Sequence, residues 1–264
     1  MIASHKKVLG PDAEINTVAS IIREKGRSSY IGEDDYVSLV KGGIAIHFHL
    51  KHPGLDPQNI YRAVKRTQKI VRERFGHDLD RIDVSIYDSK EEMRQEGRSR
   101  SRYASWIAGI YDGQIRVIAE RDDETPESLY VILTHEIIHL AVDELGKGSC
   151  LWWLDEGLAV FVSQELVEDY RELLERAVKQ DRILPLEVLR QPLPGGTDAA
   201  LRRLAYCQVM DVAAYLVETK GWDWVRDVVC QCGSREFAAV LGDLGLNEYL
   251  IEQGWKRWRR SRGA

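Results

Sequence analysis

Long apolar runs are missing from this sequence: no segment approaches the roughly eighteen residues that span a bilayer, which excludes an integral membrane helix. No apolar h-region with a cleavage site follows Met1-Ile2-Ala3-Ser4-His5-Lys6-Lys7, so the expected location is the cytoplasm. Cysteine is scarce. Cys150, Cys207, Cys230 and Cys232 give only one close pair, a C-x-C, which matches neither a disulfide framework nor a cysteine zinc site. Cys230 and Cys232 read as small apolar residues on a helix. An excess of one charge is lacking too. The formal net charge of −5 comes from 37 basic and 42 acidic residues, interspersed, and gives no global attraction to nucleic acid or anionic lipid. Internal repeats and low-complexity linkers are absent, so organisation has to be read from periodicity.

What is present is a residue balance, 44% hydrophobic and 30% charged, that can build a real core in one globular unit or two closely packed subdomains. Ile15, Val18, Ile21 and Ile22 predict a helix over residues 13–25, in an N-terminal extension taken as 1–32. A sheet subdomain is expected over 33–124. Within it, residues 37–40 and 44–50 flank Lys41-Gly42-Gly43 as a hairpin, with Ile44, Ile46, Phe48 and Leu50 on one face and His47 and His49 on the other. A helix over 57–75 and a strand over 81–87 follow. Ser89 and Glu92 form a capping box, and residues 103–111 and 114–119 make a second hairpin around Asp112-Gly113. From Thr125 the pattern is helical: an N-cap at Thr125 and Pro126 at the first helical position begin a helix expected to reach about Asp143. Further helices are predicted over 151–167, 198–219, 222–230 and 246–259, the first two separated by the Pro/Gly-rich loop 191–196. The fold class is α+β, with the sheet first and a helical subdomain, 125–264, after it.

His135-Glu136-Ile137-Ile138-His139 lies inside the helix that starts at Thr125. Histidines four apart share a helix face, so both imidazoles reach one metal ion, and Glu136 sits beside the ion's open position. A carboxylate there accepts a proton from metal-activated water and passes it to a leaving amine. The five-residue pattern arises by chance in roughly one chain in a hundred of this size, so its context decides. That context is independent of histidine: Thr125, Pro126 and the spacing of Leu129, Ile132, Leu133, Ile137, Leu140 and Ala141 all argue for helix.

A catalytic zinc takes three protein ligands and keeps a fourth position for water. No histidine follows His139, and the position six residues on is Leu145, which leaves a downstream carboxylate or an upstream histidine as third ligand. Glu156, in Trp152-Trp153-Leu154-Asp155-Glu156-Gly157-Leu158-Ala159, is the best candidate, with Gly157 and Ala159 permitting close approach. His47 and His49 are set aside as ordinary strand residues. Asp143 and Asp155 are candidate acceptors for the histidine ring N–H groups.

His-Glu-x-x-His followed by Trp-Leu-x-Glu-Gly-x-Ala resembles the gluzincins, especially the peptidase MA-like family related to aminopeptidase N and thermolysin. The likeness extends more weakly through residues 84–89, 108–111 and 206–221, and only residues 2–32 lie outside it. The resemblance implies a zincin-like fold with a zinc site between sheet and helical parts. It implies Zn²⁺ on His135, His139 and Glu156, Glu136 as general base, and Tyr206 as hydrogen-bond donor to the oxyanion. It also implies a peptide or protein substrate held by backbone pairing at the strand 108–111. Tyr206 has rivals in Tyr170 and Tyr215, or packs as an ordinary helical tyrosine. The competing function is a catalytically silent zinc-binding or interaction module, against which the intact Glu136 argues. The C-terminal run Trp255-Lys256-Arg257-Trp258-Arg259-Arg260 reads as a solvated helix packing its tryptophans inward rather than as a nucleic-acid or membrane contact. Oligomeric state and the choice between exo- and endopeptidase action carry no sequence signal.

Overall fold

The computed structural model describes residues 7–9, 36–49, 56–96, 109–119, 126–164 and 169–262. The helix expected over 13–25, the N-cap role of Thr125, residues 103–108 of the strand expected over 103–111 and residues 165–167 of the helix expected over 151–167 lie outside the described residues. An N-terminal mixed sheet with helices precedes a mostly helical C-terminal half, as the α+β reading expects. The chain divides into two compact units, one of Met1–Ile70 with Asp78–Ile137 and the other of Val71–His77 with Ile138–Ala264.

Among the described residues of the first unit, six strands line up as β1-β2-β3-β4-β6-β5. They are β1 (Lys7–Leu9), β2 (Tyr36–Lys41), β3 (Ile44–His49), β4 (Ile82–Tyr87), β5 (Gly109–Tyr111) and β6 (Ile115–Ile118). The β2–β3 and β5–β6 pairs are antiparallel hairpins; β1–β2, β3–β4 and β4–β6 are parallel. The β2–β3 turn needs glycine twice, since Gly42 and Gly43 have φ of 55° and 80°, and a side chain at Gly43 would also strike the Asp80 carbonyl. Alternation then sorts the faces. Ile44, Ile46, Phe48, Ile82, Val84, Ile86, Ile115 and Val117 are buried and build the core, together with Ile60 and Val64 of helix α1 (Pro57–Phe75).

The opposite face of the sheet is polar. Ser38 Oγ lies 2.6 Å from His47 Nδ1, His47 Nε2 lies 3.2 Å from Asp83, and Gln114 donates to both Asp83 and Ser85. His47 is therefore a member of a cross-strand network, more enclosed than the exposed strand histidine expected from the sequence. Helix α2 (Lys90–Glu96) opens with the expected cap, Glu92 N donating to Ser89 Oγ, while the Glu92 carboxylate accepts from Asp88 N, one residue before the cap.

Helix α3 (Pro126–Gly146) runs through 21 residues. The second unit is then helical: α4 (Trp152–Ser163), α5 (Asp169–Lys179), a 3₁₀ turn at Val188–Arg190, α6 (Ala199–Lys220), α7 (Trp222–Cys232), α8 (Phe237–Asp243) and α9 (Glu248–Arg262). Helices α4 and α6 pack closely because Gly157 faces the backbone of Val209. The close approach that Gly157 permits is thus to α6. Gln208 is fully buried on α6, and its amide bonds both the N–H and the carbonyl of Leu184, tying the loop before the 3₁₀ turn to the helix. Helix α9 is anchored from both ends of its buried face. Glu248 accepts from Arg190 and from the Trp153 indole, and Trp255, wholly buried, donates to Asp211.

Several cations of α9 are already paired within the protein: Arg259 with Asp211, Arg262 with Glu218, and Lys256 with Asp181 at 3.6 Å. This matches the solvated-helix reading, with Trp255 turned inward. Among the described residues no helix is long and apolar enough to cross a membrane. Burial raises the thiol of Cys150 well above its usual range, that of Cys207 to about 12 and that of Cys232 to about 11. Cys232 fits the expected apolar role, whereas Cys230 is exposed.

Candidate metal centre

Helix α3 fixes the first two donors. Thr67 on α1 donates its hydroxyl to Ala63 O, so at 3.0 Å it accepts from Thr134, the residue before His135, and braces this stretch of α3. His135 and Glu136 are buried and His139 is partly so. Helix α4 fixes the third donor. Its buried residues include Trp153, Leu154, Leu158 and Ala159, a packing that leaves Glu156 buried as well.

His135, His139 and Glu156 each offer one ligand atom, and these atoms lie within 4.8 Å of one another. Among the described residues this is the group of histidine, cysteine and acidic side chains that could hold a metal ion. His139 Nε2 and Glu156 Oε2 are 3.9 Å apart. Donors in a tetrahedral site with metal–ligand bonds of about 2 Å are separated by roughly 3.3 Å, so the spacing suits one ion after a small inward adjustment. Two imidazole nitrogens and a carboxylate oxygen form a borderline donor set, of the type that binds divalent first-row metals.

Asp155 carries the orientation of His139. Its carboxylate lies 2.8 Å from His139 Nδ1, which assigns the ring proton to Nδ1 and turns Nε2 toward Glu156. One residue of α4 thus offers a donor atom and its neighbour orients another donor. Asp155→Asn keeps the size and loses the charge, and the expected result is a fall in metal affinity of about 10–100-fold, measured by competition with a chromophoric chelator. Unchanged affinity would remove Asp155 from the centre.

Glu136 lies one residue from the first donor. Gly109, at the start of β5, faces it so closely that a Cβ built there would stand 2.6 Å from Glu136 Oε1. The strand expected at 108–111 is therefore present over Gly109–Tyr111, terminal in the sheet order and partly exposed. Tyr206 is on α6, half-buried, with its ring edge-on to Trp152 at 5.5 Å and 88°. Trp152 precedes Glu156 by one turn of α4, so Tyr206 faces the helix that carries the third donor. Its rival Tyr215 is engaged elsewhere, its ring centroid 5.8 Å from that of Trp258 on α9.

Residues 68–260 match the model of the peptidase MA superfamily. The chain belongs to the peptidase MA superfamily. The match contains both motifs, with His135, Glu136, His139 and Glu156. No curated protein and no solved structure is significantly similar to the chain. Membership gives a metallopeptidase-like character, with His135, His139 and Glu156 as the residues that could bind the metal.

Two neighbours of this centre lie outside its two motifs. Gly109 has an ordinary backbone, and only its distance to Glu136 distinguishes it. Thr67 is 67 residues from Thr134, a separation at which helical periodicity gives no pairing.

Proposed function

We propose that the chain is a zinc-dependent metallopeptidase in which His135, His139 and Glu156 hold the metal and Glu136 is the general base. The observation that carries this reading is the convergence of the three donor atoms within 4.8 Å, on the family's motif and next to a buried glutamate. Zinc, when bound there, supplies a Lewis acid and lowers the pKa of water toward neutrality.

The chain's own residues do the rest. Glu136 takes the proton of the attacking water and delivers it to the departing amine nitrogen. Asp155 holds His139 in the ligating tautomer. Tyr206 donates a hydrogen bond from its hydroxyl to the oxygen on which negative charge develops, a task suited to a neutral phenol. Strand β5 offers its outer edge to an extended peptide, whose backbone pairs with it in the manner of an added strand.

The test is metal content and turnover together. Purified protein is expected to carry about one zinc per chain by mass spectrometry, in keeping with a three-ligand catalytic site. It is expected to cleave members of a peptide library, lose that activity to a chelator and regain it on adding zinc. Stoichiometric zinc with no cleavage of any peptide would replace this reading by a silent zinc-binding module.

A further inference from the structure

Gly109 has no conformational reason to be glycine. Its φ lies outside the left-handed region, so any residue could adopt this backbone. The reason is space. A Cβ at this position would meet Glu136 Oε1 at 2.6 Å, Ile132 Cγ2 at 2.7 Å and Glu136 Cγ at 3.0 Å, all well inside the roughly 3.5–4.0 Å of normal carbon contact.

Strand β5 cannot simply step back to make room. Its register with β6 pairs Gly109 with Val117, Ile110 with Arg116 and Tyr111 with Ile115. Ile110 packs against the buried cluster of Tyr87, Met93 and Ile118. Ile132 is buried on α3, one turn before Glu136, and is stiff because it is β-branched. The most adaptable group near position 109 is the Glu136 carboxylate itself.

We propose that Gly109 is a positioning residue: the Glu136 side chain occupies the space that a side chain at 109 would fill, and that space fixes where the carboxylate oxygens stand. The role deepens the proposed peptidase reading, because a proton acceptor misplaced by about 1 Å loses on the order of 10²-fold in rate. A methyl group at 109 would displace the carboxylate, and none of the three atoms nearest to it belongs to His135, His139 or Glu156.

The experiment compares Gly109→Ala, Glu136→Ala, Glu136→Gln and the two double variants with the wild type. In metal-free protein, Gly109→Ala is expected to lower Tm, and that drop should shrink when Glu136 is alanine, since two of the three short contacts vanish. An equal drop in both backgrounds overturns the contact, whether or not the protein is an enzyme. If Gly109→Ala does not fold, Gly109→Ala with Glu136→Ala is expected to fold; failure of both overturns the proposal.

With zinc bound, Gly109→Ala should keep its metal and lose kcat by roughly 10–100-fold with KM changed less than about twofold. In the Glu136→Gln background the same substitution should cost nothing further. A kcat loss that persists there, or no loss in the wild-type background, overturns the positioning role. Absence of cleavage by the wild type itself would count against the peptidase reading, and the Tm comparison would still judge the contact.

Discussion

Glu136→Gln is expected to keep the metal and lose about 10²–10⁴-fold in turnover, the usual contribution of a general base. Glutamine is nearly isosteric with glutamate, and Glu136 is only 5% exposed, so a substitution that preserves shape leaves the fit beside Gly109 intact. What it removes is the ability to accept a proton. The three donor atoms belong to other residues, so zinc stoichiometry should match the wild type. A rate loss of that size corresponds to about 3–5 kcal/mol of transition-state stabilisation. Glu156→Ala makes the contrast. It removes the buried carboxylate proposed as third ligand, and the expected loss there is of metal first and of activity as a consequence. The decisive measurement is kcat/KM of zinc-loaded Glu136→Gln on a peptide that the wild type cleaves. Undiminished turnover would mean that another group activates the water, and the mechanism built on Glu136 would fall.

The centre is legible in the sequence where local periodicity carries it. The histidines of α3 are on one face because a helix places residues four apart together, and the absence of any histidine after His139 directs attention to Glu156. Sequence offers Asp143 and Asp155 alike as acceptors, and the short Nδ1 contact favours Asp155 because it sits beside the ligand on α4. Helix α1 has the bounds expected of it, since Ile60, Val64, Val71 and Phe75 follow the helical repeat.

The rest depends on contacts that periodicity does not encode. Helix α8 is short and gives little sequence signal, whereas α5 does carry an amphipathic repeat, with Leu174 and Ala177 buried among exposed charged residues. Strand β1 is three residues long and pairs with β2 across 27 intervening positions of chain, from Leu9 to Val37. The polar face of the sheet, Ser38, His47, Asp83 and Gln114, draws on distant parts of the chain, so most of its partners are far apart in sequence. Gly157 signals a close approach, but which helix approaches is settled by packing.

That packing makes Gly157→Ala the more severe test of the scaffold. In an isolated helix the change is favourable by about 1 kcal/mol, because alanine loses less backbone entropy than glycine. Here the added Cβ would stand 2.5 Å from the Val209 carbonyl oxygen, 3.0 Å from its carbon and 3.3 Å from Ala213 Cβ. The first two contacts are with the backbone of α6, so no rotamer change relieves them and the helices themselves must separate. Overpacking of this kind costs about 1–3 kcal/mol, and rigid backbone on both sides points to the upper part of that range. The overpacking term therefore exceeds the propensity term, and the expected net loss is about 1–2 kcal/mol. For a chain of this size that lowers Tm by about 2–8 °C, measurable by calorimetry on metal-free protein. The effect should reach the metal centre, because Glu156 is the preceding residue and shifts with α4; zinc affinity should fall with stability. Val209→Ala should not rescue the variant, since the obstructing atom is a carbonyl that alanine retains. A Tm at or above that of the wild type would show that α4 and α6 have room to spare, and that their approach does not depend on a glycine at 157.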